Sequence, residues 1–154
     1  NNFYLRKENG IKEFINFCES DIELNKYLQK DNTKMKNIFN VYKKDIKKLS
    51  DLNDLIKVYF DENYKINKTE KLTSEFDSFF KEFLNLIAEI VDWNRDNIQN
   101  AINDFLNKNK IKFPVLGKPV RYLLTNNYNG PSITDIFMIL GKTESIERLK
   151  RYKI

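Results

Sequence analysis

Apolar residues recur at spacings of three and four along most of the chain, which is the pattern of amphipathic α-helices. The clearest stretch begins at Thr73 or Ser74, and its apolar positions are Phe76, Phe79, Phe80, Phe83, Leu86, Ile87, Ile90 and Val91. This apolar face is wide, and helical spacing directs its rings toward other helices. We therefore predict that the face is core rather than an aromatic platform for nucleic acid.

Shorter helices are predicted on both sides of this stretch, because the same spacing recurs there. The predicted segments are Ile11–Glu19, Thr33–Leu49, a short helix capped by Ser50 and Asp51, and a helix that begins near Asn94 or Asp96 and continues to Leu106. The polar residues 61–69 are predicted to be a connection.

Proline and glycine divide the C-terminal third. Phe113–Pro119 contains two Pro and one Gly, so we predict a loop there, followed by a short helix over Val120–Leu124. Gly130 and Pro131 suit the N-cap and first position of the next helix. Gly141 suits its left-handed C-cap.

These elements predict an all-α fold, a helical bundle or cage of two small subdomains. We place the break between Glu89 and Asn97, which gives subdomains 1–92 and 93–154. No apolar run approaches the roughly 20 residues that span a bilayer, so no membrane role is expected. The single Cys18 is expected to be an inert buried thiol in a cytoplasmic protein.

Positive charge is concentrated toward the C-terminus. The net charge is +5, but from Lys108 onward ten Lys and Arg face three acids, which leaves −2 for the remainder. A final helix, capped by Thr143, is predicted to direct Arg148 and Arg151 outward. Such a field attracts polyanions, although a solvated helix surface in a lysine-rich chain would have the same composition.

The residues needed for several kinds of chemistry are absent. The chain has no His, which excludes His-based acid–base catalysis and the common zinc sites. It has no GxxxxGK[ST] or GxGxxG phosphate-binding motif. We therefore predict a binding module without catalytic or metal-ligating residues. Residue 1 is Asn rather than Met, so we expect part of a longer chain.

The order of residues near the C-terminus resembles glutamyl-tRNA synthetases of bacterial type. Pro119–Thr125 is similar to the family's P-L-R-x-A-L-T-G segment, and Gly130–Ile133 is similar to [GT]-P-x-L. Ile139–Glu144, followed by Arg148 and Leu149, resembles L-L-G-K-E-x-x-x-x-R-L. Weaker matches upstream keep the family's order: Trp93 with the helix after it, Lys48–Leu52 with Tyr59 and Phe60, and Asn1–Arg6.

The resemblance implies a non-catalytic part of a class I aminoacyl-tRNA synthetase. In this family the corresponding C-terminal segment is an α-helical cage that grips the anticodon stem and loop of tRNA. The parent enzyme joins glutamate to tRNA with ATP and Mg²⁺, using an N-terminal domain with the HIGH and KMSKS signatures. We therefore expect a monomer that binds tRNA(Glu), needs no cofactor and has no ligase activity alone. Whether it also binds tRNA(Gln) is left open.

The resemblance also implies which residues contact anticodon bases. The family's contacts carry over to Arg121, Gly130, Pro131 and Ile133. A guanidinium can stack on an unstacked base or bind its edge, and N–H groups at a helix start can meet a base or phosphate. A salt bridge or surface packing remains an alternative for Arg121, as does simple helix initiation for Pro131.

Two departures from the family pattern affect this assignment. Asn126-Asn127 replaces the family's Gly-Arg, which loses a cation but keeps a residue that tolerates left-handed geometry. Asn127 becomes a candidate loop contact, and Tyr128 could stack on a base or be partly buried. An ungapped match also puts Asp45 where an Arg can read the third anticodon base, with Lys43 and Lys44 beside it.

Candidate phosphate contacts are Lys142, Arg148 and Arg151, each of which could equally be plain surface. Two other functional classes remain open from the residues alone. A helical protein-interaction domain would need an exposed apolar patch, and an unfamiliar helical hydrolase would need a nucleophile and base that the sequence does not offer.

Overall fold

Every regular element in the computed structural model is helical over the residues that it describes, 10–67 and 72–153. The all-α prediction is therefore confirmed for these ranges. The similarity noted at Asn1–Arg6 lies outside the described residues. Two compact units divide between Glu62 and Asn63. Within the described part, no helix is long and apolar enough to cross a membrane.

Over residues 10–62, the first unit contains four α-helices and one 3-10 turn. These are α1 (Gly10–Glu19), α2 (Ile22–Lys30), α3 (Asn32–Tyr42), the 3-10 turn Leu49–Leu52, and α4 (Asn53–Phe60). Asp21 and Asp31 cap α2 and α3, each accepting a backbone N–H at 2.9 Å. Phe14 and Phe39 stack in the core with ring centroids 4.8 Å apart.

Helix α3 ends seven residues before the predicted end at Leu49. The Asp51 carboxylate explains why, because it accepts the backbone N–H groups of Lys47 and Lys48 at 3.0 and 3.1 Å. Those N–H groups are thus held outside a helical ladder. The same two hydrogen bonds lower the pKa of Asp51. Ile46 is still buried, although its backbone is no longer helical.

The described residues of the second unit, 63–67 and 72–153, form five α-helices. These are α5 (Ser74–Ala88), α6 (Arg95–Asn109), α7 (Phe113–Thr125), α8 (Ile133–Leu140) and α9 (Lys142–Lys150). Thr73 and Asn94 cap α5 and α6 with their side chains, as predicted. The Phe-rich face of α5 is confirmed as core. Val91 is an exception, because α5 ends at Ala88 and Val91 is 92% exposed.

The predicted boundary at residues 92 and 93 falls inside the second unit. Aromatic packing joins the two sides of that position, because Phe79 and Phe83 contact Phe105 of α6 at centroid distances of 5.6 and 5.4 Å. Tyr152 near the C-terminus packs on Phe80 at 5.3 Å. Helix α5 therefore belongs with the helices that follow it.

The predicted loop at Phe113–Pro119 is instead the first half of α7. Pro114 lies in the first turn, where a missing N–H costs nothing. Pro119 lies inside the helix and removes one hydrogen bond of the ladder. An added Cβ at Gly117 would lie 2.5 Å from the Phe113 ring, so that exposed ring would have to move. Burial of Leu116 and Val120 holds the helix together across these residues.

The N-caps of the last two helices each lie two residues away from their predicted positions. Ser132, not Gly130, caps α8, and its Oγ accepts the Asp135 N–H at 3.1 Å. Gly141 ends α8 with the predicted positive φ of 79°, but its ψ of 167° is extended. Gly141 is also the N-cap of α9, so Thr143 lies inside that helix rather than capping it.

Cys18 is fully buried in α1, which confirms the predicted buried thiol. Burial is the main cause that raises its pKa to about 12, with nearby Asp21 and Glu19 adding to it. The thiolate is the reactive form, and its fraction falls roughly tenfold per pKa unit. We expect an aromatic disulfide reagent at pH 8 to leave the native protein unlabelled and to label it rapidly in urea. Rapid labelling without denaturant would contradict this burial.

Candidate nucleic-acid interface

Arg121 and the turn before α8 lie together in the second unit. The Arg121 side chain donates from Nε to the Pro131 carbonyl and from Nη1 to the Tyr128 carbonyl, both at 2.8 Å. The side chain is partly exposed. Its Cδ lies 3.6 Å from the point where a Cβ on Gly130 would be. The guanidinium therefore holds residues 128–131 in place and stands beside them at the surface.

Tyr128 is stacked and exposed at the same time. Its ring is nearly parallel to that of Tyr122, with centroids 4.4 Å apart and planes at 14°. Tyr128 remains 42% exposed. A two-ring stack thus lies next to Arg121, since Tyr122 follows it in α7. The sequence analysis did not single out Tyr122, although it stands directly after Arg121 in the sequence.

The beginning of α8 contributes backbone rather than side chains. Ile133 is fully buried, so the prediction that it contacts a base can hold only for its backbone. Gly130 is exposed and has φ 140°, a conformation that other residues rarely adopt. Pro131 is partly exposed. Gly130, Pro131 and Arg121 therefore form one corner of the second unit, which we call the Arg121 corner.

Asn126 ends α7 in left-handed geometry, as predicted, with φ 60° and ψ 23°. Its side-chain amide is bound to the segment Lys65–Asn67. The Oδ1 atom accepts the Asn67 N–H at 2.6 Å, and Nδ2 donates to the Lys65 carbonyl at 2.9 Å. Asn127 is exposed, and its Oδ1 accepts the Asn129 N–H at 2.9 Å. Asn126 therefore binds the segment Lys65–Asn67, whereas Asn127 forms a hydrogen bond within the turn.

Arg148 does not face outward, so its prediction as a phosphate contact is wrong. The side chain is fully buried. Its Nε donates to Glu144 at 2.7 Å, and Nη1 donates to the Leu124 carbonyl at 2.9 Å. Its guanidinium carbon lies 3.9 Å from the centre of the Tyr64 ring. Burial raises the pKa of the Tyr64 phenol, although the nearby Arg148 partly offsets that effect.

The other two predicted phosphate contacts differ from each other. Lys142 is partly buried, and its Nζ donates to the Ile90 carbonyl at 2.5 Å. This hydrogen bond holds the ammonium near the end of α5. Arg151 is exposed just beyond α9. Of the three, Arg151 is therefore the one whose surroundings suit a polyanion in solvent.

Lys43, Lys44 and Asp45 belong to the first unit. They lie in the turn after α3 rather than within a helix, because α3 ends at Tyr42. The Asp45 N–H donates to the Tyr42 carbonyl at 2.9 Å. Lys44 and Asp45 are exposed, and Lys43 is partly exposed. This turn is a second candidate contact, which we call the Lys43 turn.

The chain packs as helices, and its second unit exposes a guanidinium, a pair of stacked rings and the start of a helix next to one another. These features define the class of protein as an all-α binding domain. Residues 12–153 match the family model described as an anticodon binding domain. The match covers most of the chain, so the chain belongs to the anticodon-binding domain family. This assignment gives no support to the alternative of a helical protein-interaction domain or to that of a hydrolase.

Relatives agree with the family resemblance. The chain is 27% identical over 154 residues to the glutamate–tRNA ligase of Mycoplasma capricolum subsp. capricolum, covering 97% of the chain and 32% of that relative. It is 31% identical over 128 residues to glutamate–tRNA ligase 1 of Fervidobacterium nodosum, covering 82% and 27%. The glutamate–tRNA ligase of Pelagibacter ubique is 28% identical over 154 residues, covering 97% and 33%. The chain thus spans about a third of the length of these curated relatives.

Proposed function

We propose that this chain recognises the anticodon stem and loop of tRNA(Glu) as the non-catalytic C-terminal part of a glutamate–tRNA ligase. The observation that carries the proposal is the Arg121 corner, where a partly exposed guanidinium holds the turn before α8 at the surface. Membership of the anticodon-binding family supports tRNA as the partner. Similarity to three glutamate–tRNA ligases supports glutamate as the amino acid of the parent enzyme.

The chemistry of the corner suits an unpaired base. Unstacked bases in RNA loops are held by aromatic rings and guanidinium planes. Tyr128 presents a ring that is already ordered by Tyr122, so little side-chain entropy is lost on stacking. Stacking of one base on such a ring contributes roughly 1–3 kcal/mol. The polar backbone of Gly130 and Pro131 can then read the edge of the base.

Phosphate contacts would supply affinity without base specificity. The cations from Lys108 onward outnumber the acids there by seven. Arg151 and Lys118 are exposed members of this set. Because each neutralised phosphate releases counterions, binding should weaken steeply as salt is added.

The Lys43 turn is proposed to meet the third anticodon base. Asp45 would repel phosphate and cannot donate as an Arg does, whereas Lys43 and Lys44 attract the backbone. The turn therefore gives no guanidinium with which to separate tRNA(Glu) from tRNA(Gln). We propose tRNA(Gln) as a second partner, and a direct comparison of the two tRNAs tests this point.

We assign the chemical step to the rest of the parent ligase. That step uses ATP and Mg²⁺ and attaches glutamate to tRNA. Within residues 10–67 and 72–153, no group of three or more Cys, Asp or Glu could hold a metal ion. We propose a cytoplasmic monomer that binds tRNA and does not aminoacylate it alone.

Titration with fluorescent anticodon stem–loops tests the proposal. The set comprises the tRNA(Glu) stem–loop, the tRNA(Gln) stem–loop, and tRNA(Glu) versions with each anticodon base replaced. We expect salt-sensitive binding to the first two and weaker binding when the first or second anticodon base is replaced, by about 1–3 kcal/mol for a lost base contact. Equal affinity for all sequences would reject anticodon recognition. Aminoacylation by this chain with added glutamate and ATP would reject the assignment of chemistry to the rest of the ligase.

A further inference from the structure

The segment Tyr64–Asn67 is bound along the end of α7 by side-chain hydrogen bonds. The Asn126 amide pairs with the backbone of Lys65 and Asn67, as described above. The Tyr122 hydroxyl donates to the Asn67 carbonyl at 2.7 Å. The Tyr64 hydroxyl donates to the Leu123 carbonyl at 2.8 Å. Both polar groups of the Asn67 backbone are therefore held by side chains of the helix that carries Arg121.

These contacts continue without a break to the Arg121 corner. Asn126 fixes Asn67, and the Asn67 carbonyl fixes the hydroxyl of Tyr122. The Tyr122 ring stacks on Tyr128. The Tyr128 carbonyl accepts from Arg121. Asn126 is thus connected to the Arg121 guanidinium through three residues in contact with one another. These are Asn67, Tyr122 and Tyr128.

We infer that Asn126 is a positioning residue, whose amide seats the segment Lys65–Asn67 and thereby sets the Tyr122–Tyr128 stack beside Arg121. The inference rests on the proposed function and adds the residue that orders its base-contact surface. An ordered stack meets a base without first losing its own rotamer freedom. Asn126 then influences which loop sequences bind without touching RNA itself.

A purely conformational role for Asn126 makes a different prediction. The residue has positive φ, and Gly adopts this geometry at lower cost than Asn. If the turn were all that mattered, Asn126→Gly would be harmless. The chain supplies a matched control, because Lys110 also ends a helix in left-handed geometry, with φ 53°, and caps α6 through its backbone N–H. Lys110→Gly thus reports the effect of glycine at a left-handed helix end.

Three variants separate the two roles. Asn126→Gly keeps the turn and removes both amide hydrogen bonds. Asn126→Asp keeps an acceptor for the Asn67 N–H and loses the donor to Lys65. Tyr122→Phe keeps the ring stack and removes only the hydroxyl bond to Asn67. The readouts are the ratio of affinities for the native and base-replaced tRNA(Glu) stem–loops, the exchange protection of the Asn67 amide by NMR, and Tm.

We expect Asn126→Gly to lower Tm more than Lys110→Gly does, because it also loses two hydrogen bonds. It should lower the affinity ratio about three- to tenfold. The Asn67 amide should lose protection in Asn126→Gly and keep it in Asn126→Asp. Tyr122→Phe should lower the ratio in the same direction. If Asn126→Gly does not fold, Tyr122→Phe still tests whether the segment Lys65–Asn67 orders the ring stack.

Two failures are distinguishable. If the wild-type chain shows no preference among stem–loops, the proposed function fails. If the wild type prefers its anticodon and Asn126→Gly loses Asn67 protection with the ratio unchanged, the positioning role alone is overturned. An unchanged ratio in Tyr122→Phe would overturn it in the same way.

Discussion

Arg121→Ala is expected to weaken binding of the tRNA(Glu) stem–loop by about ten- to a hundredfold and to relax its anticodon preference. The variant loses the guanidinium and also frees residues 128–131, because the hydrogen bonds to the Tyr128 and Pro131 carbonyls disappear. Arg121→Lys should restore little, since an ammonium lacks the planar fork that binds two carbonyls at once. Fluorescence titration at fixed salt, with native and base-replaced loops, measures both effects.

Lys118→Ala is the matched control for Arg121→Ala. Lys118 is exposed and lies one turn earlier on α7. Its removal takes away one cation, so it should weaken all sequences equally and lower the salt dependence by about one phosphate contact. If Arg121→Ala also weakened every loop equally, Arg121 would be a phosphate contact or a structural residue. The assignment of base recognition to this corner would then be wrong.

Arg148→Met is expected to destabilise the chain by about 1–3 kcal/mol, because it leaves a buried hydrogen-bond acceptor without its donor. Methionine fills much of the volume but leaves the buried Leu124 carbonyl without the donor at 2.9 Å. It also removes the cation over Tyr64 and leaves Glu144 without its partner at 2.7 Å. The midpoint of urea unfolding, followed by circular dichroism at pH 7, gives the loss in the free energy of unfolding.

Arg151→Ala is the control for this variant. Arg151 lies three residues further along the chain and is exposed, so its loss should change stability by no more than about 0.5 kcal/mol. The salt dependence of tRNA binding should respond to Arg151 and not to Arg148, the reverse of the effect on stability. Folded Arg148→Met should keep the salt dependence of binding, whereas Arg151→Ala should lower it. Equal and small stability losses in both variants would contradict the buried network.

The helical periodicity was sufficient to predict most of the fold. Positions Phe76, Phe80 and Phe83 are core because a spacing of three and four places them on one face, and nothing nearby competes. The prediction failed where a side chain redirected the backbone. Asp51 holds two N–H groups away from α3, and burial overrides the helix-breaking tendency of Pro119. Neither effect leaves a periodic signal.

The candidate site was predicted in part. Arg121 and the Gly130–Pro131 turn were proposed from the family resemblance, and the structure places them in contact. The helical pattern that places Ile146 and Leu149 inward predicts that Arg148 faces outward. Its partners Tyr64 and Leu124 lie far away in sequence, so no local pattern could indicate them. The same holds for the pairing of Asn126 with Lys65 and Asn67.

Gly141 has a consequence for how tolerance to substitution in this region is interpreted. Nothing lies within 4 Å of the point where a Cβ would be, yet φ is 79°. Space alone would therefore admit any residue, whereas the backbone disfavours all side chains at the junction of α8 and α9. A mutational scan that finds position 141 intolerant would be reporting chain geometry at a shared helix boundary, not a surface that meets RNA.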